Sequence, residues 1–198
     1  MSEGFYRADE TGGVLVLEDE SGLSLIPLMG RSWAPMGCTP TIRHNSHWEK
    51  LSAIAGITLD GSIHFRVHGG SIRSGQIIGY LEQLLRYIVG RHIVLLWDGS
   101  RTHTSNATKT FLEEHGDRMT AFRLPPYSPR FNPVELLWAE IKWCRLKGFC
   151  PKNNGELKRR LYSCVRSLRR KTALVRSYFE ASDLPMGSNE ETKLCRYQ

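Results

Sequence analysis

Three acidic residues lie where the chain passes from one predicted element to the next. Asp19 follows the apolar run at 14–17, Asp98 directly follows the apolar run at 93–97, and Glu135 opens a predicted helix. Carboxylate oxygens are the ligands that hard divalent cations such as Mg²⁺ prefer. Two such ions, held about 3.5–4 Å apart by shared carboxylates, can activate an attacking oxygen and stabilise a leaving one in phosphodiester chemistry. The three residues are therefore candidates for a metal-dependent site.

Two of these acids also have a purely structural interpretation. Asp98 and Gly99 form a common turn pair. The other structural interpretation is a polar strand end formed by Glu18, Asp19 and Glu20. Alternation along the strand would put Asp19 on one face and both glutamates on the other. Adjacent acids repel one another, so such a cluster is stabilised when a cation lies nearby. Each position taken singly leaves both interpretations open.

Glu135 has a more specific structural alternative. Asn132 and Pro133 are suited to the N-cap and the first position of a helix. Glu135 then stands where the glutamate of a capping box reaches back to the N-cap amide. The other interpretation is a metal ligand that projects from the first helical turn. Considered together with Asp19 and Asp98, the metal site is the favoured interpretation.

The elements that would position these acids follow from hydrophobic periodicity. Strands are predicted at 14–17, 23–27, 31–34, 48–59, 63–67, 93–97 and 119–124, and helices at 74–89, 104–115 and, with an interruption near 148–154, from 132 to about 181. Asp60-Gly61 is a hairpin signal, so the opening third is an antiparallel meander. The order predicts an α/β fold with a mixed sheet of about five strands flanked by helices.

Composition excludes several classes of protein. The chain has 198 residues, of which 40% are apolar and 24% charged, so it is not collagen-like, disordered or a disulfide scaffold. No apolar run approaches the ~20 residues of a membrane span, and the first ten residues lack a signal region, which predicts a cytoplasmic protein. The five cysteines are odd in number and include no C-x-x-C pair.

Positive charge is concentrated in one C-terminal segment. Residues 142–176 contain twelve Lys or Arg and one acid, whereas the rest of the chain has 15 basic and 19 acidic residues. A solvated helix face would normally alternate in sign, so this excess favours nucleic acid as a partner. The predicted DNA contacts are Lys142, Arg145, Lys147, Lys158, Arg159, Arg160, Arg169, Arg170 and Lys171.

Four segments carry a family pattern: LEDESGLSL at 17–25, GRSWAPMGCTP at 30–40, LLWDGSRTHTS at 95–105 and LPPYSPRFNPVELLWAEIK at 124–142. The last is the most specific, with Pro-Tyr-Ser-Pro, then Asn-Pro, one residue, Glu, two residues and Trp. In their order and spacing, including the 36 residues between Asp98 and Glu135, they resemble the catalytic domain of DDE transposases of the mariner superfamily, especially the bacterial insertion-sequence branch.

This resemblance implies a ribonuclease-H-like fold and a DDE triad. Asp19, Asp98 and Glu135 would be both the catalytic residues and the metal ligands, and the cofactors would be two Mg²⁺ or Mn²⁺ ions. Three further residues are expected to line the site: Glu20, His103 and Asn132.

The chain departs from the family in two respects. Gly99 stands where the family often has Asn, so it lacks a side chain that would orient Asp98. Full-length relatives carry helix-turn-helix modules ahead of the catalytic domain, but only 13 residues precede the first predicted strand here. We therefore expect a lead at 1–13, a catalytic domain with a basic helical C-terminal part at 14–182 and a tail at 183–198, as in the catalytic half of a split or truncated transposase.

The resemblance predicts metal-dependent DNA cleavage and strand transfer for DNA transposition and integration. It implies transposon ends and target DNA as partners, a homodimer in the synaptic complex, a separately encoded helix-turn-helix polypeptide and no membrane. Two alternatives stay open: a catalytically inert remnant that only binds nucleic acid, and a general ribonuclease-H-like nuclease acting on hybrids or junctions. The segment PPYSPRFNPVELLW argues against the second alternative.

Overall fold

A five-stranded mixed sheet forms the centre of the computed structural model, which describes residues 12–30, 33–38, 41, 50–126 and 128–184. In chain order the elements are β1 (Val14–Ser24), β2 (Lys50–Thr58), β3 (Ile63–Gly69), α1 (Ser74–Tyr87), β4 (Ile93–Trp97), α2 (Asn106–Glu114), β5 (Met119–Arg123), α3 (Val134–Ala139), α4 (Asn154–Arg169) and α5 (Thr172–Glu180). The strand order is β3-β2-β1-β4-β5, with β1, β2 and β3 antiparallel and β1, β4 and β5 parallel.

The predicted mixed five-stranded sheet and its antiparallel opening are confirmed, but β1 differs from the prediction. It does not end at the acids 18–20 and runs unbroken to Ser24, because every residue from Val16 to Ser24 pairs with β2. The separate strand predicted at 23–27 is therefore wrong: its first residues are the end of β1. The strand predicted at 31–34 includes residues outside the described part of the chain. None of the described helices has the length and apolar character that a membrane crossing requires.

Parallel pairing of β1 with β4 brings two of the acids side by side. The register pairs Leu17 with Leu96, so Asp19 and Asp98 occupy equivalent positions two residues further along. Because β4 ends at Trp97, Asp98 leaves the sheet at its carboxyl edge while β1 continues. Ligand sites of open α/β sheets lie at this edge.

Alternation along β1 divides its side chains between two cores, one on each face of the sheet. Leu15 and Leu17 pack in the core beneath α3, α4 and α5, whereas Val16 packs in the core beneath α1 and α2. Asp19 continues the first row of side chains and Glu18 continues the second. The two helical layers explain why β4 is apolar along its whole length.

α3 packs against β1 and continues into a π-helical turn, Glu140–Arg145. Its buried residues Val134, Leu137 and Trp138 belong to the first core. In the π-helical turn, Arg145 Nη2 lies 2.9 Å from Glu140 Oε1. The two residues are five apart, which is the hydrogen-bond spacing of a π-helix.

The β2–β3 turn depends on Gly61, and replacing it by Ala is expected to destabilise the protein by at least about 2 kcal/mol. Gly61 has a φ of +86°, and a Cβ built there would lie 2.5 Å from the carbonyl oxygen of Thr172 at the start of α5. Denaturant unfolding measures the loss. Gly70→Ala is the matched control, because Gly70 has a φ of +73° but open space around it. Equal losses of unfolding free energy in the two variants would show that the close approach of α5 to Gly61 does not contribute to the destabilisation.

Candidate active site

The three predicted carboxylates line one cleft beside β1, at the carboxyl end of β4. Asp19, Asp98 and Glu135 share its wall with Asn132 and with the loop that follows β5, and the cleft has a volume of about 420 Å³. One oxygen each from Asp19, Glu20 and Asp98 lie within 4.8 Å of one another. The fold thus brings together acids from positions 19, 98 and 135 of the chain.

Asp19 is held in a largely buried and negatively charged environment. Its Oδ2 accepts a hydrogen bond of 3.1 Å from Nε1 of the buried Trp138. Burial, and then the negative charges of Glu135, Glu20 and Asp98, raise the pKa of Asp19 to about 7. A carboxylate that is this difficult to ionise marks a place where a cation would be stabilised.

Asp98 is oriented by the loop that follows it. Its Oδ1 accepts a hydrogen bond of 2.8 Å from the backbone N–H of Ser100 and lies 2.9 Å from His103 Nδ1. The hydrogen bond from His103, helped by that from Ser100, outweighs burial and lowers the pKa of Asp98. These contacts supply the orientation that Gly99 cannot.

Glu135 is exposed in the first turn of α3, and its capping-box alternative is not realised. The Asn132 N–H donates to the carbonyl of Pro129 at 3.0 Å, and Asn132 Oδ1 accepts from the N–H of Val134 at 3.2 Å. Asn132 therefore caps the helix start without the glutamate. Among the described residues, none forms a hydrogen bond or ion pair with the Glu135 carboxylate, which lines the cleft.

Glu18 and Glu20 project from the second face of β1 and meet His103. The His103 Nε2 atom lies 3.3 Å from Glu18 Oε2 and 3.3 Å from Glu20 Oε1, and its ring stacks on Trp97 with centroids 4.2 Å apart. Burial acts to lower the pKa of His103, but the contact with Asp98 and the nearby carboxylates of Glu20 and Glu18 outweigh it and raise the pKa to about 10. The imidazolium partly balances the surrounding acids.

The donor set of the cleft fits hard divalent cations. Its ligands are all carboxylate oxygens, which Mg²⁺ and Mn²⁺ prefer. Burial and the neighbouring acids raise the pKa of Asp19, so a cation bound in the cleft would stabilise its ionised form. Asp19, Asp98 and Glu135 are the residues that would hold such ions.

The model of one family, described as DDE superfamily endonuclease, matches residues 14–157, which is more than half of the chain and includes all three carboxylates. The chain belongs to the DDE superfamily of endonucleases. A search among curated proteins finds no match.

Solved structures of the Mos1 mariner transposase share the fold of this DDE endonuclease. The Mos1 catalytic domain is 16% identical, with a TM-score of 0.61 over 90% of this chain and 86% of that one. A pre-cleavage Mos1 transpososome is 17% identical (TM-score 0.65; 90% and 58% covered), and a Mos1 paired-end complex with Mg is 19% identical (TM-score 0.62; 84% and 53% covered). The chain thus spans little more than half of the Mos1 chains in these two complexes. The likeness confirms the predicted ribonuclease-H-like fold.

The sequence alone indicated no individual role for two residues that contact the side chains of this cleft. Trp138 follows Glu135 by three residues, and that spacing puts both side chains on one face of a helix. The spacing could therefore have indicated that Trp138 lies near Asp19. Glu18 was placed on the second face of β1 by alternation. Its contact with His103 depends on how the loop after β4 folds back over that face, which no local pattern encodes.

Three of the predicted DNA contacts also bond within the protein. Arg145 pairs with Glu140, Arg160 Nη2 donates to the carbonyl of Arg145 at 3.0 Å, and Arg169 Nε donates to the carbonyl of Ile63 at 3.0 Å. The other predicted DNA contacts are the half-buried Lys142 and the exposed Lys147, Lys158, Arg159, Arg170 and Lys171.

Proposed function

We propose that this chain is the catalytic domain of a transposase, a metal-dependent endonuclease and strand transferase that acts on DNA. The observation that carries the proposal is the convergence of Asp19, Asp98 and Glu135 in one cleft of a DDE-family chain. The Mos1 structures of similar fold, which are described as transposase paired-end and strand-transfer complexes, support the same assignment.

Each carboxylate has a distinct place in the proposed mechanism. Asp19 and Asp98 would hold the cations between β1 and the end of β4, and Glu135 would complete the site from α3. Trp138 fixes Asp19, and His103 fixes Asp98, by hydrogen bonds to one carboxylate oxygen each. Such support sets the positions of the ligand atoms before a cation arrives and lowers the cost of binding it.

Two Mg²⁺ or Mn²⁺ ions are the proposed cofactors. The oxygen-only ligand set supports them, and so do the Mos1 complexes described with Mg and with Mn. When bound, such ions supply activation of an attacking oxygen and charge neutralisation at the leaving oxygen. The chain itself contributes the ligand positions and a cleft of about 420 Å³ that receives the phosphodiester.

The proposal is tested by incubating the purified chain with supercoiled plasmid and Mn²⁺, with metal-free buffer as control. Nicking of the plasmid, and joining to it of a labelled duplex that has a free 3′-hydroxyl, are the expected results. Binding of the plasmid without nicking would favour an inert remnant. Cleavage confined to an RNA–DNA hybrid of the same sequence would instead identify a general ribonuclease-H-like nuclease.

The exposed cations of α4 are expected to contribute non-specific phosphate contacts. The double variant Lys158→Gln/Arg159→Gln should weaken duplex binding uniformly across sequences and reduce the slope of log K against log salt by about 2, since each phosphate contact contributes about 0.9. Fluorescence anisotropy over a salt series measures the slope.

Lys109→Gln is the control for this prediction, because Lys109 is an exposed cation on α2, outside the basic segment. Its slope should equal that of the wild type. A double variant with an unchanged slope would remove α4 from the DNA interface.

Two finer parts of the proposal concern partners. We propose that catalysis occurs in a homodimer that holds two DNA ends, and that a separately encoded helix-turn-helix polypeptide recognises those ends. Light scattering of the chain with and without duplex DNA tests the first part. A change from one to two copies on DNA is expected, and one copy in both conditions would contradict it.

A further inference from the structure

Glu18 is a carboxylate placed where the strand pattern calls for an apolar residue. It continues the row of Val16 on the second face of β1, and its side chain is only 1% exposed. Among the described residues, no hydrogen bond reaches either of its carboxylate oxygens. A buried carboxylate costs several kcal/mol of desolvation, which an apolar side chain at the same position would not. Packing therefore does not explain the choice of glutamate.

The one charged neighbour within ion-pair distance of Glu18 in the described part of the chain is His103. Glu18 Oε2 lies 3.3 Å from His103 Nε2, and the opposite ring nitrogen, Nδ1, lies 2.9 Å from Asp98 Oδ1. Trp97 stacks on the ring at an interplanar angle of 5°. The imidazole is thus held at both edges and on one face, and it connects a fully buried carboxylate to one that lines the cleft.

We propose that Glu18 is a positioning residue for Asp98, acting through the His103 ring. The inference deepens the proposed function and depends on it, because it treats Asp98 as a metal ligand. Attraction by Glu18 keeps the ring turned so that Nδ1 faces Asp98 Oδ1. With Oδ1 held by His103 and Ser100, Oδ2 would be the oxygen left to bind a cation.

Glu20 contacts the same nitrogen of His103 but contributes less to the orientation of the ring. Its side chain is 18% exposed, whereas that of Glu18 is 1% exposed. Charge pairs near water are screened, and buried pairs are screened much less. Glu20 also accepts a hydrogen bond of 3.5 Å from Thr102. The orientation of His103 therefore depends more on Glu18.

A double-mutant cycle tests this inference, with Mn²⁺ affinity measured by electron paramagnetic resonance. Glu18→Gln should weaken Mn²⁺ binding by about tenfold, the usual effect of losing an outer-shell partner of a metal ligand. In a His103→Gln background the same change should have less than about a twofold effect, because the ring through which it acts is gone. Equal losses in the two backgrounds, or no loss in either, would overturn the proposal.

Tyr80→Phe is the matched control. Tyr80 is buried on the same face of the sheet, and its hydroxyl forms no hydrogen bond with any described residue. Removing that hydroxyl perturbs the same core without touching His103, so Mn²⁺ affinity should not change. A loss equal to that of Glu18→Gln would show that any disturbance of this core lowers affinity, and would contradict a specific role for Glu18.

Nuclear magnetic resonance of the metal-free protein gives a second readout, independent of metal binding. The wild type should show a protected Nδ1–H signal from His103, which Glu18→Gln shifts or broadens and Tyr80→Phe leaves in place. If Glu18→Gln does not fold, Glu18→Asp should change the same signal to a smaller extent; an unchanged signal in a folded Glu18 variant overturns the inference. Equal Mn²⁺ binding by wild type and Asp98→Asn would refute the metal site of the proposed function, and the imidazole signal would still decide whether Glu18 positions the ring.

Discussion

Replacing Asp98 by Asn is expected to lower DNA cleavage by about 10³-fold or more while leaving DNA affinity unchanged. The carboxylate supplies negative charge that holds the proposed cations, and the amide does not. Metal stabilisation of charge in the transition state contributes several kcal/mol, and each 1.36 kcal/mol corresponds to tenfold in rate. DNA affinity should persist because the proposed phosphate contacts lie in the basic segment, away from the cleft. Plasmid nicking and fluorescence anisotropy measure the two quantities.

Asp117→Asn is the matched control for this experiment. Asp117 is an exposed acid in the turn between α2 and β5 and does not line the cleft, so cleavage should be unchanged. Asp19→Asn and Glu135→Gln should reproduce the loss seen with Asp98→Asn, because in the proposed mechanism the three side chains hold the same ions. Wild-type cleavage by any of the three would remove that residue from the triad.

The order of elements could be predicted from the sequence because each depends on a local pattern. The apolar run of β4 and the helical periodicity of α1 indicate both their type and their approximate limits. The position of Asp19 opposite Asp98 required more than local pattern, since it follows from the parallel register of β1 and β4. The family motifs suggested the grouping, but pairing between strands distant in the chain produces it.

Interactions that cross the sheet edge could not be predicted. In the sequence Glu18 is one of three adjacent acids that repel one another. In the structure its environment is set by the loop that carries His103 over the second face of the sheet. Asn132 and Glu135 match a capping box in sequence. In the structure the Asn132 N–H is already used by Pro129, so the glutamate faces the cleft. A tertiary contact thus sets the environment of Glu18, whereas for Glu135 a hydrogen bond within the 3₁₀ turn that precedes α3 decides between the two local possibilities.

Identical substitutions at Asp19 and Asp98 are expected to change the stability of the metal-free protein in opposite directions. Asp19→Asn should raise the free energy of unfolding at pH 8 by an amount on the order of 2–4 kcal/mol, because the pKa of Asp19 is raised from 3.8 to about 7 and each unit corresponds to about 1.36 kcal/mol. Asp98→Asn should lower it, because His103 and Ser100 stabilise the Asp98 carboxylate and lower its pKa.

The pH dependence of the Asp19 effect has a definite sign. Between pH 4 and pH 7 the folded state binds a proton at Asp19 that the unfolded chain has lost, so wild-type stability falls as pH rises through this window and is level above it. The gain from Asp19→Asn should therefore be absent near pH 4 and complete at pH 8. The contribution of Asp98 to the free energy of unfolding has the opposite pH dependence. It is fully present above the pKa that Asp98 has in the unfolded chain, and it is lost as pH falls through the lower pKa that Asp98 has in the folded state.

Thermal unfolding in chelator and in Mg²⁺ measures these effects and connects them to function. At pH 8 in chelator, Asp19→Asn should unfold roughly 5–10 °C above the wild type, given about 2–4 °C per kcal/mol for a domain of this size. Added Mg²⁺ should raise the midpoint of the wild type, because a cation that binds only the folded state stabilises it, but not that of the variant. A metal-free Asp19→Asn protein less stable than the wild type at pH 8 would show that Trp138 and the neighbouring groups already compensate the charge, and that the cleft has no need of a cation to keep Asp19 ionised.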